Sequence, residues 1–184
     1  MFLLRKIKKS GHGIILVDLS NTPIIFLDID GVLNSSISHH HAPDDEKIFF
    51  GGDWVFKPLL QAFQNFLKPS GIMIVGVSSW FTVRNEMENV EIMTKLGLVD
   101  RFLGTTDFTG GGLSRGNSVL RFVEKYKLKH WCVLDDAGAM MYQYPTVIVN
   151  GRTGINMQDL NAISYMLEFS PDLAMCKALQ NLKV

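Results

Sequence analysis

The chain has 184 residues, with 18 Lys and Arg against 18 Asp and Glu, so its formal charge is zero. Hydrophobic residues make up 47% and charged residues 20%, which excludes a disordered chain and fits a single domain over residues 1–184 with a core of its own. The two cysteines, Cys132 and Cys176, exclude a disulfide scaffold or a Cys-rich zinc module, and fit reduced thiols in a cytoplasmic setting.

Residues 1–13 read as a basic arm carrying Arg5, Lys6, Lys8 and Lys9, without the apolar segment that would make it a signal peptide. No apolar run here nears the ~20 residues of a membrane span. Residues 14–19 are expected to add an edge strand to the sheet. Ile24-Ile25-Phe26-Leu27, bounded by Pro23 and Gly31, reads as a buried strand. Residues 34–57, with Asp44, Asp45 and Gly51-Gly52, read as a small cap-like loop insertion. Its adjacent His39, His40 and His41 cannot all face one ion from regular structure. A disordered or substrate-facing loop therefore suits them better than a metal site.

Pro58 opens a helix with Leu59, Phe63, Phe66 and Leu67 on one face, and Pro69-Ser70-Gly71 breaks it. Residues 72–77 are the next strand. Val83, Met87, Val90 and Met93 recur at helical spacing up to Gly97, a C-terminal glycine stop. Residues 104–114, with Gly110-Gly111-Gly112, read as irregular. Ser114 is expected to cap a helix carrying Val119, Phe122, Val123 and Tyr126. Residues 131–134 and 146–149 are two more strands. Asn156 and Asp159 make a capping box for a last helix through Leu160, Ile163 and Leu167. Continuous apolar strands separated by helices predict a doubly wound, Rossmann-like α/β domain, with helices on both faces of a parallel sheet.

In such a sheet the ligand site lies beyond the carboxyl ends of the strands. Asp28 and Asp30 follow the first strand, Ser78 and Trp80 the second, and Asp135 and Asp136 the third. Four carboxylates on one edge repel one another strongly. A hard cation with open positions, Mg²⁺, resolves that conflict and can meet a substrate phosphate. Trp80 reads equally well as core or as a substrate platform.

These motifs resemble the haloacid-dehalogenase-like (HAD) superfamily: Asp28-Ile29-Asp30-Gly31-Val32 after an apolar strand, Ser78 after a second, and Asp135-Asp136 after a third. Within it, the elements Leu27 to Asn34, Ser78-Ser79-Trp80, Leu134-Asp135-Asp136 and Gly154-Ile155-Asn156 look like those of small, nearly capless members associated with RNA-repair proteins. The resemblance implies a Mg²⁺-dependent phosphatase in which Asp28 attacks phosphorus and Asp30 is acid and base. Asp28, Asp30 (through its carbonyl), Asp135 and Asp136 would hold the metal. Ser78 would bind phosphoryl oxygens, and Arg115, ahead of its helix, would hold the phosphate, with Lys125, Lys127 and Lys129 as rivals. The resemblance implies an Arg that members often carry directly after the Ser-Ser-Trp triplet; here that position is Phe81, and Arg84 is the nearest candidate for a substrate contact. The short insertion implies an open site, suited to a terminal phosphate on a bulky molecule such as a nucleic-acid end, with a nucleotide or small metabolite as alternatives. A phosphotransferase, or a catalytically silent binding module, are the competing readings. The full set of acids argues against the second.

Overall fold

Ile24, Ile25, Phe26 and Leu27 are all completely buried. A strand covered on both faces needs apolar residues at every position, and this run supplies them. The computed structural model describes residues 19–108, 112–137 and 144–168. After β1 (Ile24–Leu27) the chain forms α1 (Ser36–His41) and an antiparallel hairpin of β2 (Lys47–Phe50) and β3 (Asp53–Phe56). There follow α2 (Lys57–Leu67), β4 (Met73–Gly76), α3 (Glu86–Lys95), β5 (Phe102–Thr105) and α4 (Gly112–Tyr126). Then come β6 (Trp131–Asp135), β7 (Thr146–Ile148) and α5 (Met157–Glu168).

Five strands pair in parallel in the order β5-β4-β1-β6-β7. The chain builds outward from β1 on one side and then returns to build on the other, so β1 and β6 meet where the direction of construction reverses. The two-residue period of β1 divides the core. Ile25 and Leu27 pack with residues of α2, α3 and α5, such as Phe63, Met93 and Ile163. Ile24 and Phe26 pack with Val119, Phe122 and Val123 of α4. Each such side chain contributes roughly 1.5–3 kcal/mol on full burial. The fold is therefore the doubly wound α/β architecture expected from the sequence.

Several local expectations change. Residues 34–57 are not a loop: Ser35 caps α1 through a reciprocal pair with Ser38, and the histidines fill the last turn of that helix. Gly51-Gly52 turns the hairpin, whose Val55 is buried. The face of α3 is also different. Of the expected stripe Met93 is buried, but Val83 and Met87 are 81% and 83% exposed, and the helix buries Asn89 and Ile92 in their place. Apolar spacing alone could not tell an outer stripe from an inner one. Strand β5 runs into the stretch expected to be irregular, whose first residues, Gly104 and Thr105, complete it; four residues, one of them glycine, carry little strand signal. Ser114 is not a cap, since α4 already starts at Gly112. The basic arm, and the edge strand expected over residues 14–19, fall outside the described residues apart from Leu19, which starts a short 3-10 turn. Gly97 does stop α3, at φ +64°, and Asn156 and Asp159 exchange the hydrogen bonds of a capping box before α5.

Candidate active site

Asp28 continues the ladder beyond β1: its N–H donates to the carbonyl of Leu134 at 3.0 Å. Its carboxylate accepts the N–H of Ile29 at 2.8 Å. Asp135 closes β6 and accepts the N–H of Ala137 at 2.8 Å. Asp28 is 2% exposed and Asp135 fully buried, while Asp136 is half-buried beside them. One carboxylate oxygen from each of these three residues lies within 4.8 Å of the others.

Arg115 reaches into this group from the first turns of α4. Its Nη1 donates to Asp28 Oδ2 at 3.0 Å and to Asp135 Oδ2 at 2.6 Å, and its guanidinium lies 5.2 Å from the ring of Phe108. Its Nε is buried without a hydrogen-bond partner among the described residues. Burial pushes the Asp28 carboxyl above its ordinary range, and Asp135 adds to the rise, with Arg115 offsetting part of it. Burial likewise raises Asp135, and burial followed by the Asp28 charge raises Asp136. Burial works against the charge on Arg115, but Asp28 and Asp135 outweigh it and hold the guanidinium charged. Three carboxylates thus share one guanidinium. Hard oxygen donors left short of positive charge suit a hard divalent cation.

Asp30 stands apart. Trp80 Nε1 donates to its Oδ2 at 3.0 Å and Asn34 Nδ2 to its Oδ1 at 2.9 Å. The four acids read from the sequence therefore divide into three that converge and one that is exposed and held aside. Gly31 makes the turn between them at φ +72°, a conformation that costs a residue with a Cβ roughly 1–2 kcal/mol. A Cβ there would lie 2.1 Å from Asp136 Oδ2, and one on Gly151 would lie 2.3 Å from the same atom. Two bare backbones thus form the slot that holds the Asp136 carboxylate.

These acids meet at the carboxyl ends of adjacent parallel strands, in the order of the motifs, and residues 24–160 match the family described as the HAD domain in Swiss Army Knife RNA repair proteins. The chain belongs to this family. No curated protein and no solved structure matches it. HAD domains carry phosphohydrolase-type chemistry in general, and they typically use Mg²⁺.

The remaining sequence candidates of this HAD domain fall into place around the acids. Ser78 is buried, accepts the N–H of Trp80 at 3.3 Å, and its hydroxyl helps hold the Asp28 carboxyl down. Trp80 is 3% exposed and combines a core ring with a polar edge turned to Asp30. Phe81 faces inward, stacking on Phe102 at 5.9 Å, so the position after the Ser-Ser-Trp triplet is a core position here. Arg84 pairs with Asp53 at 3.0 Å and donates to the Trp80 carbonyl. Of the basic residues of α4 and beyond, Arg121 is held in two bonds by Asp107, and Lys129 reaches Asn21.

Sequence reasoning missed Asn34, Gly151 and Trp54. Asn34 also accepts the Gly31 N–H at 2.8 Å and donates to the Trp54 carbonyl at 3.0 Å. A cleft of about 330 Å³ opens beside Asp30 and Asp136, walled by His39, His40 and Trp54 of the insertion. His39 stacks on Trp54 at 5.9 Å. The clue in the sequence was two short aromatic runs flanking Gly-Gly, a hairpin signature. No helix among the described residues is long and apolar enough to cross a membrane.

Proposed function

We propose that this HAD domain is a Mg²⁺-dependent phosphomonoesterase working through Asp28. The observation that carries the reading is the trio Asp28, Asp135 and Asp136 with Arg115 across two of them, while Asp30 is kept out of the trio by two N–H donors. Mg²⁺ held by Asp28, Asp135, Asp136 and the Asp30 carbonyl would neutralise charge on the phosphoryl group.

Asp28 Oδ attacks phosphorus, and the bond from phosphorus to the ester oxygen breaks, leaving an aspartyl-phosphate. Asp30 gives its proton to the departing oxygen. Asp30 then takes a proton from the water that attacks the aspartyl-phosphate, which releases inorganic phosphate and regenerates Asp28. Ser78 and Arg115 bind phosphoryl oxygens in both steps. Trp80 and Arg84, whose polar atoms are engaged within the protein, support the site rather than bind substrate.

The insertion is small and the cleft beside Asp30 is open to solvent, which favours a phosphate at the end of a large molecule. The family's tie to RNA-repair proteins makes an RNA end the substrate class we propose, in a cytoplasmic setting. The test is release of inorganic phosphate from RNA oligonucleotides bearing a 3′- or 5′-phosphate, with Mg²⁺ or with chelator. Release that requires both Mg²⁺ and Asp28 is expected. Unimpaired release by the Asp28→Asn variant overturns the reading, and transfer to added alcohols in place of phosphate release favours a phosphotransferase.

A further inference from the structure

The two side chains that hold the Asp30 carboxylate are themselves held by the hairpin β2–β3. Asn34, which donates to Asp30 Oδ1, also donates through Nδ2 to the carbonyl of Trp54 in β3. Trp80, which donates to Asp30 Oδ2, meets Phe50 of β2 edge-to-face at 5.5 Å. Its other support is Arg84, whose guanidinium lies 5.8 Å from the Trp80 ring, donates to the Trp80 carbonyl, and pairs with Asp53 of β3. Lys95 of α3 holds this same turn end of the hairpin through the Phe49 carbonyl and the ring of Phe50. No atom of the hairpin belongs to the acid trio.

We infer that Trp80 and Asn34 are positioning residues for proton transfer, and that the hairpin acts in catalysis by fixing them, and through them Asp30, against the leaving group. This rests on the reading of Asp30 as acid and base. Asp30 is exposed and follows the last paired residue of β1, so its backbone alone leaves its carboxylate several rotamers. Two N–H donors, one on each oxygen, select a single orientation. An acid that must reach a departing oxygen within hydrogen-bond range gains from that selection, since small misplacements cost rate steeply. The hairpin is therefore more than a wall of the cleft: removing its grip reaches the chemistry without touching the phosphate site.

The test compares kcat/KM on two phosphate esters, because kcat/KM covers only the steps up to departure of the leaving group. p-Nitrophenolate leaves its phosphate ester without a proton, whereas the alkoxide of an alkyl phosphate needs one to depart. Trp80→Phe keeps a ring and removes the donor, and Asp53→Asn loosens the hairpin from a distance. Both are expected to lower kcat/KM for the alkyl ester about tenfold or more and for p-nitrophenyl phosphate less than about threefold, and Trp80→Phe is expected to add little to Asp30→Asn. Equal losses on both esters in variants with the parent's circular dichroism, or no loss on either, overturn the inference. A parent enzyme inactive on every phosphate ester overturns instead the function on which it rests.

Discussion

Arg115 Nη1 stands 2.6 Å from Asp135 Oδ2, a contact between a guanidinium that is 15% exposed and a carboxylate that is fully buried. Breaking a buried pair on one side leaves the other charge without compensation, which typically costs 3–5 kcal/mol. Arg115→Met is thus expected to lower unfolding stability by about 3 kcal/mol at neutral pH. Added Mg²⁺ should recover part of that loss. Urea denaturation with and without Mg²⁺ measures both, and equal losses in the two conditions would remove the electrostatic explanation.

The acid trio predicts a pH dependence. Asp28, Asp135 and Asp136 are all raised above their ordinary values by burial first. The folded state then binds more protons than the unfolded state between the ordinary carboxylate pKa and the raised one. Stability contributed by these groups therefore falls as pH rises through that window, and the penalty is complete above it. Chelator-treated protein is expected to show this fall in urea titrations at a series of pH values. Mg²⁺ is expected to flatten it, and Asp136→Asn to shrink it.

Gly31 and Gly151 test the slot around Asp136 separately. Gly31→Ala meets both the positive φ and the carboxylate, so a loss of about 2 kcal/mol in stability is expected along with weaker Mg²⁺ binding. Gly151 has no such φ, and a methyl group there meets chiefly Asp136 Oδ2. Gly151→Ala is expected to weaken Mg²⁺ binding, read by calorimetric titration, with a smaller change in thermal midpoint.

Phe81 occupies a core position against Phe102 and under Gly76, where an added Cβ would meet its ring at 2.6 Å. Phe81→Ala is expected to cost about 3–5 kcal/mol of stability, as large aromatic truncations do. Phosphatase activity per folded molecule should fall much less. A selective loss of phosphate affinity would instead show that this position contacts substrate.

The acid-bearing strands were legible because apolar runs buried on both faces end abruptly in carboxylates, as at Leu27-Asp28 and Leu134-Asp135. The hairpin was hidden by its polar flanks, His39–His41 and Asp44-Asp45, which made a loop the simpler reading of a segment with two aromatic strands. For α3, only part of the apolar stripe read from the sequence faces inward: packing buries Met93 together with Ile92 and leaves Val83 and Met87 outside. Asn34 and Gly151 carry no signal of their own. Their meaning comes from what stands opposite, a carboxylate of Asp30 in one case and of Asp136 in the other.

The ladder that runs through the amide of Asp28 to Leu134 has a consequence for motion. That amide sits in the middle of the sheet and can trade its hydrogen for deuterium only when the whole domain opens. Three residues on, the amide of Gly31 is tied only to a side chain, Asn34 Oδ1, and can exchange through a local excursion. Asp28 is therefore anchored to the slowest-opening part of the sheet, whereas the placement of Asp30 beyond it depends on the side chains of Asn34 and Trp80.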